Sequence, residues 1–319
     1  MRIRTTLLAA TTLAVCAAPL RAQFGRLRRA AEQAAGTLDP SRLISSPPPI
    51  ATALPDAVWG VDSLDTHDPD PSVFKPLAGL ARGPHGGWML QAGHWAQQNQ
   101  SYCLHAGTHG PGGGDGYLFA PPRGSAQDQV TSILRNSVAH PEIPQRQIQL
   151  LLWAIIARAK FEDLVHGLQP VAAQLLTPQQ LLTLNRSAWD LAGPALEHAM
   201  SSLPEPAQEA LRAESQLRGM LTSASSTFED MERVAVLTGL APHGAGSRDV
   251  PRGRWSRHPD GYYVRYLPSS YSSTRMEVWV PEGSPAIGRE LDPAMHIAMP
   301  GNTARQRLIQ SMRTRDEGH

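Results

Sequence analysis

The 319 residues include two cysteines, Cys16 and Cys103, and Cys16 lies in an N-terminal apolar run that reads as a secretory signal. Cys103 would then be the lone thiol of an exported protein, a setting in which cysteines are normally paired or absent. A buried, inert thiol is the bland reading. The sharper reading is a thiol that is already acylated, and the acyl donor on offer is Gln149, a primary amide inside the apolar run Ile148-Gln149-Leu150-Leu151-Leu152-Trp153. A thiol is the one common side chain nucleophilic enough to attack a neighbouring amide, and a primary amide can leave as ammonia. Amides are poor electrophiles, so the reaction would rest on enforced proximity and on donors aimed at the tetrahedral oxyanion. His105, His140 and Tyr102 are candidates to move the proton or orient the pair, and the sequence does not choose among them.

Two other chemistries compete for the same residues. Cys103-x-His105-x3-His109, with His94 or Asp115 as a fourth group, offers metal-capable atoms close together. Zinc sites use recurring pairs such as C-x2-C or a helical H-x3-H, and this segment is loop by composition, so no metal or cofactor is expected. Cys103 as a hydrolase nucleophile with His105 or His140 as base has no family signature around it. The acidic run Asp65-Thr66-His67-Asp68-Pro69-Asp70 lacks the glycine and terminal glutamate of an EF-hand loop and reads as a solvated turn. Gly112-Gly113-Gly114 lacks the lysine and the strand-to-helix context of a phosphate loop.

The elements that must position the pair follow from periodicity. Pro144 opens the strongest helical pattern in the chain, expected to run to about His166 and to stop at Gly167. On a helical wheel Gln149 falls within the apolar arc of Ile148, Leu152, Trp153, Ile155 and Ile156, with Gln145 on the same side one turn earlier. A buried amide needs partners, and the plainest role for Gln149 is to satisfy backbone groups of a neighbouring segment. Cys103 ends a stretch, 86–104, that reads as strand, turn, strand, with Gln97-Gln98-Asn99-Gln100 as the polar connection. Ser125-Ala126-Gln127-Asp128 reads as a capping box opening a further helix, and Thr177-Pro178-Gln179-Gln180 and Ser226-Thr227-Phe228-Glu229 mark two later starts. Arg275 to Pro281 alternates as a half-buried strand after the turn Ser269–Ser273.

These residues resemble the bacterial surface thioester domains, which carry an aromatic or Leu, then Cys, then Tyr, and downstream a helical Thr-Gln-x-Ala-Ile/Val-Trp. Tyr102-Cys103 matches the first motif, with Leu104 in place of its tyrosine. Gln149 and Trp153 match the second at the right separation, with Ile148 for Thr and Leu151 for Ala. The likeness covers roughly residues 86–165. It implies an internal Cys103–Gln149 thioester able to capture an amine or hydroxyl on a partner macromolecule, such as a surface protein.

Arg2 and Arg4 ahead of the apolar run Thr5 to Leu20 make residues 1–22 a signal peptide; the run is too short for a membrane span, and no later segment is long and apolar enough to serve as one. Its removal takes three arginines and no acids, turning the net charge of +1 slightly negative, so no nucleic-acid partner is expected. The 28 prolines and 27 glycines predict long irregular connections. The expected fold is α+β: a small antiparallel sheet packed with helices, plus a helical segment and a C-terminal β-hairpin region. Along the chain these are a signal peptide (1–22), a Pro-rich arm (23–76), a thioester-domain-like central region (77–167), a helical segment (168–241), a β-hairpin region (242–284) and a flexible tail (285–319). The expected function is an exported binding or adhesion module, more a binder than an enzyme, with a secreted non-catalytic structural or interaction protein as the alternative.

Overall fold

The computed structural model describes residues 48–51, 53–187 and 205–314. The signal segment, residues 23–47 of the Pro-rich arm, Trp189 and His198 lie outside the described residues. The strands are β1 (Lys75–Pro76), β2 (Trp88–Met89), β3 (Gly93–Cys103), β4 (Thr108–His109), β5 (Tyr117–Ala120), β6 (Val236–Leu237), β7 (Ser256–Arg257), β8 (Tyr263–Ser270), β9 (Ser273–Val280), β10 (Glu290–Leu291), β11 (Ile297–Pro300) and β12 (Leu308–Thr314). The helices are α1 (Gln127–Asn136), α2 (Gln145–Ile156), α3 (Leu168–Leu175), α4 (Pro178–Ser187), α5 (Glu205–Leu221) and α6 (Phe228–Ala235).

The fold is α+β as expected, but the sheet is not small. Eight strands form it, in the order β5-β11-β12-β3-β9-β8-β7, with β1 added in parallel to β3. It curls until its two edge strands nearly meet. The Val58 and Val61 amides donate to Phe119 O on β5 and to Trp255 O beside β7. Ser256 closes the gap, its hydroxyl accepting from the Phe119 amide at 3.0 Å and donating to Val58 O at 3.4 Å. Linking the edges in this way removes the unpaired backbone that an open sheet would expose.

Two expectations fail here, each for a physical reason. The polar run Gln97-Gln98-Asn99-Gln100 is no turn but the middle of the 11-residue β3. Its amides find partners across the sheet, Gln97 Nε2 on Met312 O at 3.2 Å and Gln98 Nε2 on Ser273 Oγ at 2.6 Å, so polarity here marks pairing rather than solvent. The supposed flexible tail supplies β10, β11 and β12, with Ile297, Leu308 and Ile309 completely buried. Its basic residues disguise it: Arg305 pairs with Asp115 at 2.9 Å, and Arg307 Nη1 donates to the Thr303 and Arg305 carbonyls. The acidic turn is solvent-exposed as read, and it is also tethered, since Arg254 pairs with Asp62 and Asp65, and Arg265 with Asp68.

The hairpin β8–β9 forms as read, with Met276, Val278 and Val280 buried, but it belongs to the eight-stranded sheet rather than to a region apart. Helix α2 is shorter than expected. It ends at Ile156, where Arg158 takes a left-handed φ of 51° and the chain turns away well before Gly167. Every residue from Ile148 to Ile156 is buried, not one arc alone, because α1, α3 and α5 surround the helix on the sides that β3 does not cover. Helix α1 starts without the Ser125 capping box, whereas the Thr227 box on α6 is complete. Among the described residues no helix is long and apolar enough to cross a membrane.

Candidate functional site at the end of strand β3

Cys103 is the last residue of β3, at a point where one neighbour has run out. The β9 strand pairs with β3 only as far as Ser273 opposite Gln100, and the final rung is Ser101 N donating to Ser272 O at 3.2 Å. The next rung on that edge belongs to Cys103, since N–H and C=O groups on one side of a strand recur every second residue. No strand fills it. Helix α2 does, through two glutamines one turn apart.

Gln145 Nε2 donates to Ser101 O at 3.2 Å and to Ser272 O at 2.7 Å. Gln149 Oε1 accepts the Cys103 amide at 2.8 Å, and its Nε2 donates to Cys103 O at 3.1 Å. The match is geometric: four helical residues rise about 6 Å and two strand residues about 6.7 Å, so side chains at i and i+4 fall on successive rungs. The carboxamide of Gln149 stands in for the missing strand, and the two residues that the sequence paired are joined across 46 positions.

The Cys103 thiol is completely buried, and burial, followed by the negative charge of Glu232, pushes its pKa well above the usual thiol range. Tyr102 and His140 are not drawn to this junction. Tyr102 points to the other face of β3, where its buried hydroxyl donates to Gln100 Oε1 at 3.0 Å, and burial raises its pKa. His140 sits before α2 and bonds Glu142 Oε1 at 3.0 Å. His105 follows Cys103 by two residues, and desolvation with the nearby Arg307 charge holds its imidazole well below its ordinary pKa, hence neutral. The other metal-capable groups are dispersed, His94 stacking on Trp279 and Asp115 pairing with Arg305. Among the described residues no three His, Cys, Asp or Glu side chains converge as a metal site.

A cleft of about 330 Å³ opens beside the pair, lined by Gln145, Gln149, Phe228, Tyr271 and Ser272. Phe228 stacks on Trp153 with ring centroids 5.8 Å apart, and the buried Trp153 indole N–H has no hydrogen-bond partner among the described residues. Tyr271 also lines a second cavity of about 470 Å³ with Glu232, Arg233, Leu237 and Arg305, and its hydroxyl donates to Glu232 Oε1. Sequence reasoning missed Glu232, Tyr271 and Phe228. Local signals fix only where α6 and the β8–β9 hairpin begin and end. What carries α6 to the site is the Gly107 turn, whose amide donates to the Val234 and Ala235 carbonyls; Gly107 has φ 71°, and a Cβ there would lie 2.9 Å from Ala213 Cβ.

Compared with models of protein families, with curated proteins and with solved structures, the chain matches none.

Proposed function

We propose that Cys103 and Gln149 condense into an internal thioester, and that the chain is an exported binding or adhesion module that uses it to attach to an amine or hydroxyl of a partner macromolecule. The observation that carries this reading is the bond from the Cys103 amide to Gln149 Oε1 at 2.8 Å. It brings the carboxamide to the residue that bears the thiol and polarises its carbonyl. It also supplies a backbone N–H to the oxygen on which charge would develop as sulfur adds. In the reaction the Sγ–Cδ bond forms, the Cδ–Nε2 bond breaks, and the thiol proton leaves on ammonia. Export rests on the signal-like residues 1–22, which lie outside the described residues.

A second reading is favoured by the same contacts. Gln145 and Gln149 together complete the β3 edge, which is all that a secreted structural or interaction module would ask of them.

Intact mass spectrometry separates the two. The thioester reading expects purified protein lighter than its sequence mass by one ammonia, and a Cys103→Ala variant at full sequence mass. Alkylation has to be done after unfolding, because a completely buried thiol is silent in the native state on either reading. Full mass together with a freely alkylated Cys103 in denaturant would leave only the structural role.

A further inference from the structure

Glu232 has no part in the reading above, yet three observations direct it to this site. Its carboxylate is close enough to Cys103 for its charge to raise the thiol pKa. It accepts the Tyr271 hydroxyl, and Tyr271 is common to the cleft of Gln149 and to the larger cavity that Glu232 lines. Tyr271 in turn is tied to β3 two residues before the cysteine, its carbonyl accepting from Ser101 Oγ at 2.9 Å.

From this arrangement we infer that Glu232, held by Tyr271, is the acid–base group of the Cys103–Gln149 junction, and that the step it serves is proton transfer between the thiol and the departing ammonia. The inference rests on the thioester reading. As Sγ bonds Cδ, the thiol proton passes to the Glu232 carboxylate; as the Cδ–Nε2 bond breaks, the same proton passes to nitrogen and ammonia leaves through the cleft. The carboxylate ends as it began, and no further reactant is required. A carboxylate suits a buried thiol that resists ionising on its own, because removing the proton during attack avoids a free thiolate in an apolar site. The neutral His105, which the sequence offered, sits under the repulsive charge of Arg307 and is poorly placed to hold a second proton. The charged and titratable groups facing Glu232 are Tyr271 from the hairpin, Arg233 on its own helix, Arg305 across the cavity, and Cys103. Arg233 is engaged with Asp230 and Arg305 with Asp115.

The experiment follows ring closure in the folded protein. Concentrated ammonia opens the thioester back to thiol and amide; desalting removes the ammonia, and closure is timed by intact mass. Glu232→Gln is expected to slow closure by about a hundred-fold and to abolish the acid limb of its pH profile, while Glu232→Asp keeps that limb and recovers part of the rate. If Glu232→Gln fails to fold by circular dichroism, Glu232→Asp and Tyr271→Phe carry the test, and wild-type rates in both overturn the inference. Wild-type rate and pH profile in folded Glu232→Gln overturn it while leaving the thioester intact. Wild-type protein at full sequence mass throughout overturns the thioester reading and this inference together.

Discussion

Two buried polar centres hang on the same sheet and are built differently. Near the β5 and β7 edges, His296 is buried with both ring nitrogens occupied: Nε2 is 2.8 Å from the Tyr262 hydroxyl and Nδ1 2.9 Å from that of Tyr266. A neutral imidazole has one N–H, so it donates to one tyrosine and accepts from the other. His258 is stacked on Tyr262 and on His296. At the end of β3, Gln149 is just as buried and just as bonded, but its partners are the backbone of a cysteine and a cleft lies alongside. The first centre is sealed and built for rigidity. The second combines satisfied hydrogen bonds with a thiol, a primary carboxamide and an adjoining cleft. Burial and bonding are shared; access and reactive atom types distinguish them.

The largest expected effect breaks the second centre. Gln149→Ala strands a buried N–H and a buried C=O on Cys103 and opens a cavity, for a loss of about 4 kcal/mol in urea unfolding. If the native protein carries the thioester, the loss is larger still, because a covalent cross-link of 46 residues goes with the side chain.

The next effect breaks the first centre. His296→Phe leaves two tyrosine hydroxyls unpaired and should cost about 3 kcal/mol at pH 7.5. It should also change the response to acid. Burial, followed by the charge of His258, holds the His296 pKa well below its ordinary 6.5. The unfolded chain therefore takes up this proton first. The contribution is fully present above pH 6.5 and is lost as pH falls below it. His105 and His258 shift in the same direction, so the variant should lose part of the slope and not all of it.

The smallest effect sharpens the comparison with a polar group that serves no strand. Glu214, on α5, is pushed up to about 7, by burial against the opposing pull of Arg158 and Arg218. A carboxyl raised in this way stabilises the fold below its unfolded value of 4.5, and that contribution is lost as pH rises towards 7. Glu214→Gln should therefore stabilise the protein at pH 8, by on the order of 1 kcal/mol, and be nearly neutral at pH 4, measured as Tm against pH.

Several elements were legible in the chain because their signals are local. The Thr227 capping box is formed, the Thr177 start is capped through Gln180, and the alternation of Arg275 to Val280 gives the buried face of β9. The strands that carry polar residues inward were not legible. Gln97, Asn99, Ser101, Gln310 and Ser311 are all buried on β3 and β12, and a window of sequence cannot tell a solvated amide from one whose partner comes from another strand. For the site, residue types and spacing singled out Cys103 and Gln149, but Glu232, Tyr271 and the cleft arrive from elements far along the chain.

The sequence by itself determined the chemical inventory, the thiol of Cys103 and an amide within an apolar helix, together with the presence of both helices and strands. Those depend on side-chain type and short-range periodicity, which any local stretch carries with it. Only the tertiary structure decided that β9 stops one rung short of Cys103 and that α2 lies where two glutamines complete the edge. Backbone hydrogen-bonding groups left open by one element have to be met by whatever packs beside them, and which element that is depends on the whole fold.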